Sequence, residues 1–133
     1  MTTTMKYLIL ILLLLPFSSC VDDELAISVQ ESPVKAEIER LEDAADGTIS
    51  FSATFTELDK SGILDQSVGI IATPVRDLEL RVLSQTQDLL QTVVTDADGR
   101  TDLSIPATAL DGVTRLEWTG THQGTAFRIL TNL

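Results

Sequence analysis

The feature that most constrains the fold of this chain is a two-residue alternation of apolar and polar side chains that recurs from Thr48 to the C-terminus. Such alternation places one face of each β-strand in a core and the other in water. Alternating or β-rich runs occupy residues 49–56, 78–82, 91–95, 103–105, 116–119 and 127–129. Short strands at this spacing predict an all-β fold, an antiparallel sandwich built around one core.

Turn signals separate the predicted strands, and each contains a residue that accepts a positive φ. They are Lys60-Ser61-Gly62, Ala97-Asp98-Gly99, Asp111-Gly112 and Gln123-Gly124. The Asp98-Gly99 step joins two β-rich runs, so we predict a hairpin over residues 89–106. A second hairpin is predicted around Gln123-Gly124.

Residues 33–46 admit two interpretations. As a helix, the segment has Ser32 as its N-cap, Pro33 at its first position and Gly47 after its end. As a strand, Val34, Ala36 and Ile38 alternate with charged residues, and residues 43–47 form a turn into the next strand. We favour the strand because the next strand needs a neighbour. The count is then seven antiparallel strands rather than six.

The N-terminus is typical of an export signal. Lys6 is the only charged residue before Asp22, and an apolar run of 11 residues, Tyr7–Phe17, follows it. A helix that spans a bilayer needs about 20 apolar residues, so the run is too short to remain as a membrane anchor. We assign residues 1–19 to a signal peptide.

The residues that follow resemble those of a known group of exported proteins. Phe17-Ser18-Ser19-Cys20 resembles the lipobox of bacterial lipoproteins, and Cys20 is the only cysteine of the chain. The resemblance implies cleavage before Cys20 and lipidation of its thiol and new N-terminus. Val21-Asp22-Asp23-Glu24 resembles the acidic stretch of surface-exposed lipoproteins of Bacteroidota. The expected location is therefore the bacterial outer membrane, with the protein facing either the surface or the periplasm.

An acidic tether would separate this anchor from the folded domain. Residues 20–46 hold nine acidic and two basic residues, and residues 21–32 contain few large apolar side chains. Such a composition does not bury enough apolar surface to fold. We therefore divide the chain into the signal peptide, a lipidated tether at 20–32 and a sandwich domain at 33–133.

One segment of the domain resembles a recurring hairpin. The sequence Thr95-Asp96-Ala97-Asp98-Gly99-Arg100, followed by Pro106, resembles a motif of bacterial immunoglobulin-like and transthyretin-like domains. The resemblance implies an immunoglobulin-like sandwich.

Charge and composition exclude several functions. The net charge is −11, so no basic surface is available to displace counterions from nucleic acid. A single cysteine excludes an internal disulfide and a cysteine-based zinc cluster, and a single histidine excludes a multi-histidine metal site. We therefore expect no nucleic-acid partner.

Asp96, Asp98 and Asp102 are the candidate metal ligands, because three carboxylates in seven residues could supply oxygens to calcium. The glycine stands at the fourth position of this run rather than the sixth, and the twelfth residue is Ala107, so the EF-hand pattern is absent. We favour a turn in which Asp98 and Gly99 supply the backbone geometry, and we assign no cofactor.

No spacing marks a catalytic triad, so we predict no catalytic residue and no enzyme. His122 is expected at an exposed hairpin tip. A hydrolase would need a pocket that joins it to a carboxylate such as Glu117. Trp118 could stack on a glycan, but its phase with the other apolar residues favours the core.

These observations predict a non-enzymatic, lipid-anchored envelope protein. Its membrane contact is the lipid on Cys20, and its domain would bind another envelope protein or a surface polymer. A calcium- or glycan-binding accessory lipoprotein and a small envelope hydrolase are the alternatives. The sequence does not identify the ligand.

Overall fold

The computed structural model describes residues 31–133, which form one compact unit. The predicted signal peptide, Cys20 and the tether up to residue 30 lie outside the described residues. Within 31–133 the chain forms eight strands and a short 3₁₀ turn, Ala107–Leu110. The strands are β1 Lys35–Arg40, β2 Thr48–Asp59, β3 Ile71–Pro74, β4 Glu79–Ser84, β5 Leu89–Val94, β6 Arg100–Pro106, β7 Arg115–His122 and β8 Thr125–Asn132.

The first sheet is organised around β2, the longest strand. β1 pairs with residues 51–56 of β2 along one edge. On the other edge, β6 pairs with residues 48–54 and β3 with residues 56–59, so β6 and β3 lie end to end. All three pairings are antiparallel.

The second sheet has the order β5-β4-β7-β8, and its pairings are also antiparallel. β4 carries a bulge between Val82 and Leu83, where its register with β5 shifts. The fold is thus an all-β sandwich of two antiparallel sheets, as the alternation predicts.

The core lies between the inward faces of the two sheets. Phe51, Phe55 and Trp118 are at most 1% exposed, and Phe127 is 8% exposed. The rings of Phe55 and Trp118, from opposite sheets, lie 6.4 Å apart in a tilted arrangement. Rings at this separation attract one another beyond simple area burial.

Residues 35–40 form a strand, so the helical interpretation of residues 33–46 is wrong. Val34 is buried, and Ala36 and Ile38 pack against the core. Arg40 is the last strand residue, and the exposed Leu41 follows it. The pairing of β1 with β2 satisfies backbone groups along this edge of β2. Those groups would have no strand beside them if residues 33–46 formed a helix.

The structure has eight strands, one more than the larger of the two predicted counts. β3 was missed because all four of its residues are exposed and it ends in a proline, so it shows no alternation. Its position on the sheet edge explains both properties, because an edge strand buries little and tolerates proline.

The predicted hairpin over residues 89–106 is also wrong. The turn forms, with hydrogen bonds from Gly99 N to Asp96 O and from Asp96 N to Arg100 O. However, β5 pairs with β4 in the second sheet, whereas β6 pairs with β2 in the first. The reason lies at the turn itself: Gly99 O accepts the Phe55 amide of β2, so the chain changes sheets there. The hairpin predicted at Gln123-Gly124 does form, between β7 and β8.

Candidate functional site

A cleft of about 700 Å³ opens at one end of the sandwich. It lies between the turn that joins β3 to β4 and the hairpin that joins β7 to β8. Its polar lining comes from both parts: Arg76, Asp77, Glu79, Arg81, Thr119, Thr121, His122 and Gln123. Ligand sites in proteins commonly have volumes of roughly 300–1,000 Å³, so the cleft is large enough for a small polar ligand or a segment of a polymer.

The β3–β4 turn is held rigidly at the mouth of the cleft. Val75 is buried, and its amide donates to Phe55 O. Asp77 adopts a φ of 55°, which is uncommon outside glycine, and its amide donates to Thr95 O. The Arg76 guanidinium lies 3.2 Å from an Asp77 carboxylate oxygen. The two charged side chains at the mouth are therefore carried on a fixed backbone.

The far wall of the cleft depends on a close approach at Gly120. A Cβ at this residue would lie 2.8 Å from Cζ of Phe127 and 3.2 Å from Glu79 O. The absence of a side chain lets the Phe127 ring lie against β7 beside β4. Phe127 and Ala126 contribute apolar lining to the cleft beside its polar residues.

His122 joins the cleft to the first sheet. Its Nε2 lies 2.9 Å from Oε2 of Glu57, and Gln123 Nε2 donates to the same oxygen at 3.0 Å. The expectation of an exposed histidine is wrong, because only 17% of its side chain is exposed. Its carboxylate partner is Glu57 rather than Glu117. The contact ties the end of β7 to the end of β2.

The cleft can offer hydrogen bonds and charges of both signs. Two guanidinium groups, two carboxylates and two threonine hydroxyls line it. Within residues 31–133, the only side-chain hydrogen bond of His122 is with Glu57, so no hydroxyl or thiol nucleophile is aligned with the imidazole. The arrangement is suited to holding a polar ligand.

Glu117 lies elsewhere, on the outward face of β7, and it is only 1% exposed. Gln87, from the β4–β5 loop, donates to its Oε2 at 2.6 Å, and Arg115 donates to its Oε1 at 2.8 Å. Arg128 lies 3.5 Å away. The hydrogen bond from Gln87 is the largest single cause that lowers the pKa of Glu117; burial opposes it, and Arg115 and Arg128 add to the lowering.

The burial of Glu117 could not be predicted from the pattern of its own strand. The alternation correctly places Glu117 outward, but it carries no information about what covers the sheet. The covering residue, Gln87, is thirty positions away in the chain. No local sequence signal could have identified it.

The three candidate calcium ligands are not brought together. The Asp96 carboxylate accepts the amides of Asp98 and Arg100, each at 2.9 Å. Asp102 lies on β6 and pairs with Ser52 of β2. In the described part of the chain, no three His, Cys, Asp or Glu residues form a group that could hold a metal ion. Asp96 is thus a turn residue whose carboxylate binds its own backbone.

Trp118 is fully buried and presents no ring to a ligand. Phe51, Phe55 and Phe127 lie with it in the core. A glycan platform formed by Trp118 is therefore excluded.

A search of protein-family models, curated proteins and solved structures finds no significant match to this chain. Among residues 31–133, no helix has the length and apolar character needed to cross a membrane.

Proposed function

We propose that this chain is a lipid-anchored, non-enzymatic protein of the bacterial envelope whose sandwich domain binds another envelope component. The anchor is the lipid on Cys20, which the lipobox-like sequence supports. The binding element is the cleft between the β3–β4 turn and the β7–β8 hairpin. An envelope protein or a surface polymer would supply the polar groups that it holds.

The observation that carries the proposal is the composition of the cleft. Arg76 and Arg81 lie beside Asp77 and Glu79, so the lining has no net charge although the whole chain carries −11. A balanced lining of this kind favours a ligand that both donates and accepts hydrogen bonds, such as a polypeptide segment or a saccharide. It disfavours a multivalent cation or a polyanion.

The strand pairings support an immunoglobulin-like relationship. β2 lies beside β6, β4 beside β7, and β7 beside β8. An immunoglobulin sandwich has the same pairings between its strands B and E, C and F, and F and G. Domains of this architecture serve many binding functions, so the fold alone does not name the ligand.

Site-specific crosslinking in intact cells tests the binding role. A photoreactive residue at Thr121, on the cleft, should yield a discrete crosslinked product. The same group at Ser104, on the outward face of the first sheet, serves as the control. A product that appears at Thr121 and disappears with Arg81→Ala supports the proposal. Equal labelling at both positions contradicts it.

Fractionation of cells tests the anchor. The wild-type chain should be extracted from membranes only by detergent, whereas the Cys20→Ala chain should be released by buffer. Two acyl chains hold a protein stably to a membrane. Integral-membrane behaviour of Cys20→Ala after normal cleavage of the signal would contradict the lipid anchor.

A small hydrolase is the second candidate, because the Glu57–His122 pair borders the cleft. A histidine oriented by a carboxylate can act as a general base. The two candidates differ in the effect of His122→Gln on isolated envelope polymers. A hydrolase would release soluble products only with the wild-type chain, and a binding domain would release none with either.

A further inference from the structure

The β2–β3 loop, residues 60–70, carries an unusual concentration of exposed apolar side chains. Residues 31–133 contain nine large apolar side chains with high exposure, and five of them lie between residues 63 and 71. Leu64 is 97% exposed, and Ile63, Val68, Ile70 and Ile71 are each at least half exposed. Contiguous exposed apolar groups of this kind mark an interaction surface.

The charged groups at this loop already have partners within the chain. The Asp59 carboxylate accepts the Ser61 amide, and the Asp65 carboxylate accepts the amide and the hydroxyl of Ser67. Lys60 pairs with Glu31. The loop therefore directs its apolar side chains outward while its charges are engaged near its own backbone.

The place where the tether joins the domain indicates what covers the loop. Glu31 is the first described residue, and its ion pair with Lys60 puts the start of the domain at the base of the loop. Cys20 precedes Glu31 by eleven positions. Eleven residues span at most about 40 Å even when fully extended. A lipid on Cys20 would therefore keep a bilayer within reach of the loop.

We propose that the β2–β3 loop inserts its apolar side chains into the membrane surface as a second contact beside the lipid. This inference rests on the proposed lipid anchor. Because the tether holds the two surfaces together, the local concentration of bilayer at the loop is high, and a contact that would need excess vesicles in an untethered chain becomes occupied. The contact holds this end of the sandwich, which also carries the cleft, towards the bilayer.

Fluorescence quenching in vesicles tests this contact. The mature lipidated chain carries Gln66→Cys, labelled with an environment-sensitive dye, and is reconstituted in vesicles of phosphatidylethanolamine and phosphatidylglycerol that contain acyl-chain quenchers. Gln66 is exposed in the loop, and Cys20 does not react because its thiol is acylated. The matched control is Ala45→Cys, an exposed residue of the β1–β2 turn at the opposite end of the sandwich.

The dye at residue 66 should be quenched at least about fivefold more than the dye at residue 45. Adding Ile63→Ser and Leu64→Ser should remove this difference while the circular dichroism spectrum stays unchanged. Equal, weak quenching at residues 66 and 45 in chains that float with the vesicles overturns the loop contact and leaves the lipid anchor intact. Shielding of the dye at residue 66 from water that increases with protein concentration, without acyl-chain quenching, would indicate that a second copy covers the loop. That result would also overturn the membrane contact.

A flotation assay distinguishes failure of the loop contact from failure of the proposed lipid anchor. If the wild-type chain floats no better than Cys20→Ala, the lipid anchor has failed. The labelled Cys20→Ala chain is then mixed with excess vesicles. Quenching at residue 66 in that mixture supports a loop contact that acts alone, and its absence overturns the contact.

Discussion

Two acidic connections lie at the same end of the sandwich. In both, aspartate carboxylates accept backbone amides, but the two connections differ in how closely they pack against the sheets. In the crossover turn, residues 96–99, the Asp96 carboxylate accepts two backbone amides. In the β2–β3 loop, Asp59 and Asp65 each accept a backbone amide two residues further on. The crossover turn presses Gly99 against β2 and β3, whereas the loop points apolar side chains into solvent.

The difference shows that local turn chemistry does not determine the role of a connection. Each segment concentrates carboxylates, whose oxygens are ligands that calcium prefers. In both, the carboxylates stabilise the backbone of the turn. What distinguishes them is tertiary contact, and the largest effects of substitution should therefore appear where that contact is closest.

Gly99→Ala should have the largest effect. A Cβ at Gly99 would lie 2.4 Å from Phe55 O and 3.0 Å from Val75 N, both backbone atoms that cannot move aside. The residue also has a φ of 71°. We expect a loss of roughly 3–5 kcal/mol in the free energy of unfolding. Urea unfolding followed by the fluorescence of Trp118, the only tryptophan, measures it.

Gly69→Ala in the β2–β3 loop is the matched control. Gly69 has a φ of 65°, but a Cβ there would meet no atom within 4 Å. Its cost should be only the strain of a positive φ, about 1 kcal/mol. Equal losses for the two variants would mean that the crossover turn is not pressed against the sheet.

Thr95→Val should have the next largest effect. The buried Thr95 hydroxyl accepts the Leu78 amide at 2.9 Å and donates to Val75 O at 2.6 Å. Valine keeps the shape but leaves both backbone groups without this partner, so we expect a loss of about 2 kcal/mol. Thr92→Val, at an exposed position of the preceding strand β5, should change stability by less than about 0.5 kcal/mol. A Thr95→Val variant as stable as Thr92→Val would show that water replaces the hydroxyl.

Substitution of Asp96 and of Asp65 should have smaller effects on stability, and these two effects should differ. Asp96→Ala leaves two amides of a tightly packed turn without their acceptor, and we expect a loss of about 1 kcal/mol. Asp65→Ala removes contacts from a solvent-exposed loop and should lose less stability than Asp96→Ala. Thermal unfolding of both variants under one condition measures the difference. A larger loss for Asp65→Ala would reverse the ranking of the two connections.

Acidification should act on the β2–β3 loop at an unusually low pH. Hydrogen bonds from the Ser67 hydroxyl and amide lower the pKa of Asp65. A lowered folded-state pKa means that the stabilisation is present above the ordinary aspartate pKa and is lost as the pH falls through the folded value. The Ser67 amide resonance should therefore shift only below the ordinary aspartate range. In Asp65→Asn the shift should be absent, and its persistence would assign the titration to another group.

The sequence predicted the interior better than the connections, for a physical reason. Alternation is a local property, so Phe51, Phe55 and Trp118 could be placed in the core from neighbouring residues alone. Sheet membership is not local: β5 and β6 flank a well-formed turn, yet β5 pairs back with its neighbour β4, whereas β6 pairs with β2, far from it in the chain. The same limit hid the His122–Glu57 contact, whose partners are 65 positions apart.

Calcium should have the smallest effect, and it tests whether the crossover turn has any role beyond folding. Among the described residues, Asp96, Asp98 and Asp102 do not form a group that could hold a metal ion, and two backbone amides already bind Oδ1 of Asp96, so calcium finds no preformed set of ligands at this turn. We therefore expect added calcium to shift the melting temperature no more than the same concentration of magnesium, which controls for general screening of an acidic protein. A real site at one hundred times its Kd would add about 2.7 kcal/mol to the stability of the folded state. A calcium-specific rise in the melting temperature that disappears in Asp98→Asn would make this turn a metal site. The two connections would then differ in function as well as in packing.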